Sequence, residues 1–202
     1  MEYDNTHVVD KVVDALRKAA TELEALQVQA ALGKAEASDK YEELKKKFDH
    51  FVHETKIKFE QGKEKAGDIQ EEVQALLDEL RVQLALGKAE GKEAFAEQKK
   101  KIVEKIRQIE NKIKSNPTLN KAYAVVLVEM EKFKVLLEWL EQKFEEGKEV
   151  AADQFEKGKA ELNSFISTVK EKFAEADGGR WANFQDEMSQ AFSHMAQAFK
   201  KP

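Results

Sequence analysis

Cysteine is absent from this 202-residue chain, and proline occurs only at Pro117 and Pro202. Without cysteine, disulfide frameworks, thiolate metal sites and cysteine nucleophiles are excluded. Strand signals are also scarce, because the one run rich in β-branched residues, Ala124–Val128, lies inside a helical pattern. The chain therefore has little that would interrupt helices or build a sheet.

The chain also lacks a dominant sign of charge and a long apolar run. Its 34 basic and 39 acidic residues are interspersed and give a net charge of −5. We expect no nucleic-acid partner, since such partners normally require a basic face. No apolar run approaches the length of a transmembrane segment, so none is expected. The acidic start, Met1–Asn5, has no apolar core typical of a signal peptide, which favours a cytoplasmic location and leaves the compartment open.

What the chain has in abundance is helix-forming sequence. About half of its residues are Ala, Glu, Lys, Leu or Arg, which is typical of long helices and coiled coils. The predicted fold class is all-α: an elongated antiparallel bundle of three long, coiled-coil-like helices plus a short C-terminal amphipathic helix. We expect the long helices at about 6–61, 68–114 and 119–176, within a bundle domain 1–178, and the amphipathic helix within 179–202.

Three boundaries decide this division. Val9, Leu16 and Leu23 begin a heptad series that runs to about Phe59. Asp68 and Glu71 form a capping box for the second helix. However, the apolar stripe keeps its phase through 61–68, so one continuous helix over 6–114 is an open alternative. A break after Gly33 is a further alternative, since Ser38 or Asp39 with Glu42 could cap a new helix, but it is less favoured because the heptad register carries across it. The segment 115–120 contains Pro117 and predicts a firm break.

The second predicted helix has an eleven-residue rhythm, seen in the row Ile69, Leu80, Gly91, Ile102 and Ile113. Such a rhythm implies nearly straight or slightly right-handed packing. In composition it resembles exchangeable apolipoproteins, synuclein-like helices and desiccation-related helices. No diagnostic motif accompanies the resemblance. Residues 26–36 also closely match residues 80–90, which indicates internal repetition.

A Gly-Lys unit recurs along the chain, each time three residues after an apolar residue. Its glycines are Gly33, Gly62, Gly87, Gly147 and Gly158. A glycine inside a helix costs about 1 kcal/mol relative to alanine, so glycines on an apolar stripe suggest packing or bending demands. In an up-down-up bundle, Gly33, Gly87, Gly91 and Gly147 would lie at one level. We therefore predict a narrow waist there, with glycines tolerated as inherited kinks as the alternative.

Motifs for chemistry are weak. His50 and His53 are three residues apart on one helix face, but no His-Glu-x-x-His or Glu-x-x-His pattern accompanies them. The Gly-Lys units lack the Ser or Thr and the preceding strand of a phosphate-binding loop. We therefore predict no catalytic residues, no metal site and no cofactor, and we expect that the chain is not an enzyme.

The last helix offers the best candidate for a functional surface. Its aromatic and methionine face could dock on a protein groove or a lipid surface, or fold back over the bundle. The residues of this face are Trp181, Phe184, Met188, Phe192, Met195 and Phe199. The expected function is a non-enzymatic structural or protein-interaction scaffold that binds a partner or self-associates. The alternative is an amphipathic protein of lipid or granule surfaces, apolipoprotein-like; a metal-binding or enzymatic bundle is the third option.

Overall fold

A computed structural model describes residues 5–28, 34–61, 67–87, 89, 91–144, 152–173 and 178–199. Eight helices are present in these ranges: α1 (Asn5–Val28), α2 (Lys34–Gln61), α3 (Gly67–Leu84), α4 (Lys92–Lys114), α5 (Pro117–Ala122), α6 (Ala124–Phe144), α7 (Ala152–Phe173) and α8 (Gly178–Gln197). No strand occurs in the described part of the chain. The all-α prediction is confirmed.

The structure does not reproduce the three predicted long helices one for one: within the described residues, 68–114 is divided between α3 and α4, and 119–176 is divided between α5 and α6. Residues 29–33 and 145–151 lie outside the described residues. The expected helix 6–61 corresponds to α1 and α2, 68–114 to α3 and α4, and 119–176 to α5, α6 and α7. One continuous helix over 6–114 is therefore also wrong. The division of 68–114 coincides with a Gly-Lys unit, that of Gly87, whereas the division between α5 and α6 is at Tyr123. Gly158 lies inside α7. The glycines of the other three units, Gly33, Gly62 and Gly147, fall outside the described residues.

The junction between α3 and α4 shows how such a unit ends a helix. Gly91 precedes α4 with a φ of 98°, a left-handed conformation that glycine adopts without strain. Side chains from α2 and α4 satisfy the backbone carbonyls of the junction. Lys45 donates to Leu86 O at 2.8 Å, and Gln98 donates to Gly87 O at 2.9 Å. Tertiary hydrogen bonds thus stabilise a turn where the apolar periodicity alone predicts continuation.

The expected break before Pro117 is confirmed. Helix α4 ends at Lys114, and the Asn116 side chain caps α5 by accepting from the backbone N–H groups of Thr118 and Leu119 at 3.0 and 3.3 Å. Proline occupies the first helical position, where its missing N–H is not needed.

Helix α6 is the centre of the molecule. It packs against α1, α2, α4, α5 and α8. Its core-facing positions surround the whole helix rather than forming one stripe, as expected of a helix enclosed by others. For example, the adjacent residues Val126, Leu127 and Val128 are all buried. The β-branched run noted in the sequence therefore begins the most enclosed helix.

Interhelical ion pairs define five antiparallel contacts. Helices α2 and α3 are joined by Lys56–Asp78 and Arg81–Asp49, and helices α3 and α4 by Lys105–Glu79 and Lys112–Glu72. Helices α4 and α6 are joined by Lys99–Glu138 and Lys134–Glu110. Helix α7 is joined to α1 by Lys170–Asp10 and Lys159–Glu24, and to α8 by Lys172–Glu187 and His194–Glu161. In each contact the residue number rises on one helix as it falls on the other. The antiparallel part of the prediction holds for these pairs, although the number of helices differs.

The C-terminal helix shares the hydrophobic core. Buried residues of α8 belong to the same apolar cluster as those of α1–α7. Within the described residues, the expected boundary at 178/179 therefore does not separate two cores.

Candidate functional site

The apolar face of α8 is seated on α5, α6 and α7. All six predicted docking residues are buried, with exposed fractions between 0 and 6%: Trp181, Phe184, Met188, Phe192, Met195 and Phe199. Trp181 and Phe184 each pack with Phe173 of α7 at a ring-centroid distance of 5.3 Å, and with each other at 5.2 Å. The Asn120 side chain, fully buried on α5, donates to Trp181 O at 2.6 Å.

Of the options that the sequence left open for this face, the structure shows the one in which α8 folds back over the bundle. In the folded chain the six residues are core residues, because α7 supplies a matching apolar face of its own, including Phe155, Phe165 and Phe173. A partner or a lipid could reach them only after α8 separates from α7.

The predicted glycine waist also needs correction. A Cβ added at Gly87 or Gly91 would meet no atom within 4 Å, so neither glycine permits a close backbone approach. Both lie in the α3–α4 junction and not in a helix interior. Gly33 and Gly147 lie outside the described residues. The close approach occurs instead at Gly158, where a Cβ would lie 2.8 Å from the backbone atoms His194 C, His194 O and Met195 N of α8.

A groove of about 310 Å³ lies between α4, α6 and α8. Val103 of α4, Val135 of α6, and Phe192 and Ala196 of α8 form the apolar part of its wall. Its remaining wall is polar and charged, with residues from all three helices. Three helices thus bring apolar and charged side chains together around this space.

Three charged side chains occupy the α4–α6 side of this groove. Lys134 donates to Glu110 Oε2 at 2.9 Å and to Glu131 Oε1 at 2.8 Å. Both glutamates are buried, each with a 4% exposed fraction. Burial raises the pKa of Glu110 to about 7, Lys134 opposes this shift, and Glu131 adds to it. The single lysine therefore does not fully compensate the charge of Glu110.

Two of the residues that line the groove each have a fully buried oxygen without a partner. Glu110 Oε1 and Gln185 Oε1 have no hydrogen-bond partner within the described part of the chain. Gln185 is on α8 and has a 6% exposed fraction. Buried acceptors without donors are destabilising, and most buried polar atoms in folded proteins are satisfied.

Sequence reasoning missed this groove, although a signal for it existed. Glu110 follows Val103 and Ile106 at helical spacing on the apolar stripe of α4, where a large apolar residue is expected. Glu131 is likewise a charged residue among the buried residues of α6. A charged residue on an apolar stripe is informative, since burying a charge is costly unless it is paired.

The two histidines that were considered for metal binding lie on α2 and face different partners. His50 contacts Glu54 at 3.3 Å, and His53 Nδ1 lies 3.3 Å from Arg81 Nη1 of α3. In the described ranges, no group of three or more His, Cys, Asp or Glu side chains is arranged to hold a metal ion.

Comparison with protein-family models, with curated proteins and with solved structures found no match for this chain. Among the described helices, none combines the length and apolarity needed to cross a membrane.

Proposed function

We propose that this chain is a non-enzymatic helical scaffold that binds a protein partner or a second copy of itself through its folded exterior. The observation that carries this proposal is that apolar side chains lie in the interior and charged side chains lie on the surface. Apolar side chains from all eight helices form one internal core, and salt bridges join neighbouring helices at the surface. Such a molecule presents a fixed, charged outer surface, which suits recognition or spacing.

The exterior offers one small apolar feature. In the described residues the exposed large hydrophobic side chains are Ile57, Val82 and Leu86, and Val82 is the most exposed at 61%. Val82 and Leu86 lie close in sequence at the C-terminal end of α3. Scattered exposed apolar residues are normal, so partner binding in this form would depend mainly on polar and charged groups.

The test is whether the chain keeps one shape when it meets an apolar surface. We expect light scattering and small-angle X-ray scattering to give the same size and shape with and without phosphatidylglycerol vesicles. The Val82→Lys variant should weaken any concentration-dependent self-association. A large change in size on vesicle addition, with no association at any protein concentration, would contradict the scaffold proposal.

A second candidate function is binding to a lipid or granule surface. The specific observation in its favour is that the core is built from amphipathic faces of separate helices, including α7 and α8. If α8 separated from α7, both faces could lie on an apolar phase in the manner of interfacial helices. This function requires opening of the bundle, whereas the scaffold function does not.

An engineered disulfide distinguishes the two candidates. The side chains of Glu161 on α7 and His194 on α8 are in contact, so Glu161→Cys with His194→Cys places two thiols across this interface. The natural chain has no cysteine, so no other intramolecular disulfide can form. Formation of the bond is checked by mass spectrometry and non-reducing gels.

The oxidised and reduced forms of this one variant are matched controls for each other. If lipid binding requires opening at α8, only the reduced form should float with vesicles. If neither form floats, the surface-binding candidate fails. If both float equally, opening at α8 is not the route, and binding would have to use another part of the chain.

A further inference from the structure

The buried residues of α3 and α4 belong to one helical stripe, although the two helices pack as an antiparallel pair. In α3 the buried apolar residues recur every three or four positions, at Val73, Leu77, Leu80 and Leu84. The stripe resumes in α4 at Phe95, eleven positions after Leu84 and therefore about three helical turns further on. It then continues with Ile102, Ile106, Ile109 and Ile113. A single helix across the junction would thus keep both sets of residues on one face.

The α3–α4 junction also separates two groups of helices that share the apolar core. Helices α1–α3 precede the junction and α4–α8 follow it, and the helix pairs α1–α6, α1–α7, α2–α6 and α3–α4 make contacts between the groups. Polar contacts between the groups include Lys132–Glu22 at 2.8 Å and Tyr41–Gln98 at 3.1 Å. Such contacts require two complementary groups but not one continuous chain, so a second copy can supply either group.

Only the junction itself has to differ between a chain closed on itself and a chain that shares its groups with a second copy. In the closed chain, Lys45 donates to Leu86 O and Gln98 donates to Gly87 O. Gly91 there has a φ of 98°. In a continuous helix, both carbonyls would instead accept from backbone N–H groups four residues further on, and no residue would need a left-handed conformation. The carbonyls of the junction therefore have donors in both arrangements.

We propose that the α3–α4 junction is a hinge through which two copies of this chain exchange their C-terminal groups, α4–α8. In the exchanged dimer, residues 67–114 form one continuous helix about 70 Å long. Helices α4–α8 of each copy then pack against α1–α3 of the other, with the same core contacts as in the closed chain. The inference goes beyond the proposed scaffold function, because exchange uses the buried helix contacts and the scaffold function uses the folded exterior.

Protein concentration decides between the two forms. The closed chain avoids the loss of translational and rotational freedom that association costs, so it is favoured in dilute solution. The exchanged dimer gains helical hydrogen bonds in two junctions at once, against the low helix propensity of Gly87 and Gly91. The contacts between the groups must break before exchange, so the two forms interconvert slowly and can be separated by size-exclusion chromatography. Refolding from urea at high protein concentration should populate the dimer, and refolding of dilute protein should give the monomer.

Substitutions at Gly91 test the hinge. A Cβ there meets no atom within 4 Å, so a steric clash does not contribute. Gly91→Ala should lower the protein concentration needed for half-dimerisation by roughly 100-fold or more, because alanine disfavours the left-handed conformation and favours the helix in both junctions of the dimer. Gly91→Asn is the matched control, since asparagine tolerates the left-handed conformation and is a poor helix former, and its half-dimerisation concentration should stay within about tenfold of the parent value. Circular dichroism verifies that each variant is folded.

The position of a cross-link identifies the exchange. Glu79 of α3 and Lys105 of α4 form an ion pair, so Glu79→Cys with Lys105→Cys places two thiols within reach of a short bis-maleimide in a chain that has no other cysteine. These residues lie on either side of the junction, whereas exchange at any other connection would leave both in one copy. Lys172→Cys with Glu187→Cys is the matched control, since both residues belong to the C-terminal group. Each pair is placed in the Gly91→Ala chain, and the dimer fraction is diluted before cross-linking so that only neighbouring thiols react.

The cross-linked samples are then compared on denaturing gels. The junction pair of the dimer fraction should run as a covalent dimer, whereas the control pair of that fraction and the junction pair of the monomer fraction should run as single chains. Absence of a dimer after concentrated refolding of folded Gly91→Ala would overturn the proposal, and so would equal half-dimerisation concentrations for Gly91→Ala and Gly91→Asn. A dimer whose junction pair runs as a single chain would also overturn it, and would indicate association through the folded exterior.

Discussion

The packing of α8 on α7 predicts that Gly158→Ala destabilises the protein, although alanine is the better helix former. In a free helix the replacement would stabilise by about 1 kcal/mol. In this structure the added methyl group would lie 2.8 Å from three backbone atoms of His194 and Met195. To restore contacts of about 3.4 Å, α8 must move by roughly 0.6 Å, because backbone atoms cannot rotate away as side chains can.

The size of the effect follows from two opposing terms. Overpacking of a filled interface typically costs about 1–3 kcal/mol, against the gain of about 1 kcal/mol in helix propensity. We expect a net loss in the free energy of unfolding of up to about 2 kcal/mol. The displaced α8 carries Trp181 and Phe184, so the near-ultraviolet circular dichroism of the aromatic cluster should change as well.

The assay is urea unfolding followed by far-ultraviolet circular dichroism, with a matched control on the same helix. Ala160 is exposed on α7, and Ala160→Gly measures the local difference in helix propensity without any contact to α8. Ala160→Gly should lose about 1 kcal/mol. If Gly158→Ala gains the amount that Ala160→Gly loses, the close approach of the two helices has no energetic consequence and the reasoning is refuted.

Three further predictions concern the α3–α4 junction, the contact between α5 and α8, and the groove. Gly91→Ala should lose about 1–3 kcal/mol in urea unfolding because its φ is 98°, whereas Gly87→Ala should stay close to the parent stability. Asn120→Ala should lose about 1–3 kcal/mol, because the buried Trp181 carbonyl loses its side-chain donor; an unchanged urea midpoint would contradict this. Burial raises the pKa of Glu110 from 4.5 to about 7, so between these pH values the folded chain retains a proton that the unfolded chain releases. The stability that this proton contributes is therefore lost as the pH rises from 4.5 to about 7. Urea midpoints measured across the window should show this slope in the parent protein and less of it in Glu110→Gln.

The helical class and the break at Pro117 were predictable because both depend on local signals. Periodic apolar residues predict helices, and proline restricts the residue before it. The amphipathic character of α8 was predictable for the same reason. Whether its face is exposed or buried was not, since this depends on the matching face of α7 rather than on α8 itself.

The division of 68–114 at Gly87 was missed for a physical reason. Apolar periodicity is preserved through 80–90, so the stripe alone favours a continuous helix. The turn is stabilised because Lys45 of α2 donates to Leu86 O and Gln98 of α4 donates to Gly87 O, so its donors come from two neighbouring helices. A penalty of about 1 kcal/mol for one glycine does not end a helix by itself, but it lowers the cost of a turn that tertiary contacts then stabilise.

The groove was missed because charged residues were assigned to solvated faces. Glu110 occupies a position of the apolar stripe, and its environment is set by Glu131 and Lys134 on another helix. Sequence spacing could have marked Glu110 as unusual, but only the packing of α4 against α6 and α8 shows that one of its oxygens lacks a donor.

The two candidate functions make different demands on the same apolar faces. Exposing the six large side chains of α8 to water would cost roughly 10–20 kcal/mol at about 1.5–3 kcal/mol each, so spontaneous separation in water is rare. A lipid surface would bury these side chains again, but the apolar face of α7 against which they pack would remain exposed. A surface can shift the equilibrium only by binding the open form more tightly than the closed one. Surface binding by this fold therefore has to engage α7 together with α8. If α8 bound the surface alone, its side chains would only exchange one apolar environment for another, and Phe155, Phe165 and Phe173 of α7 would become exposed to water.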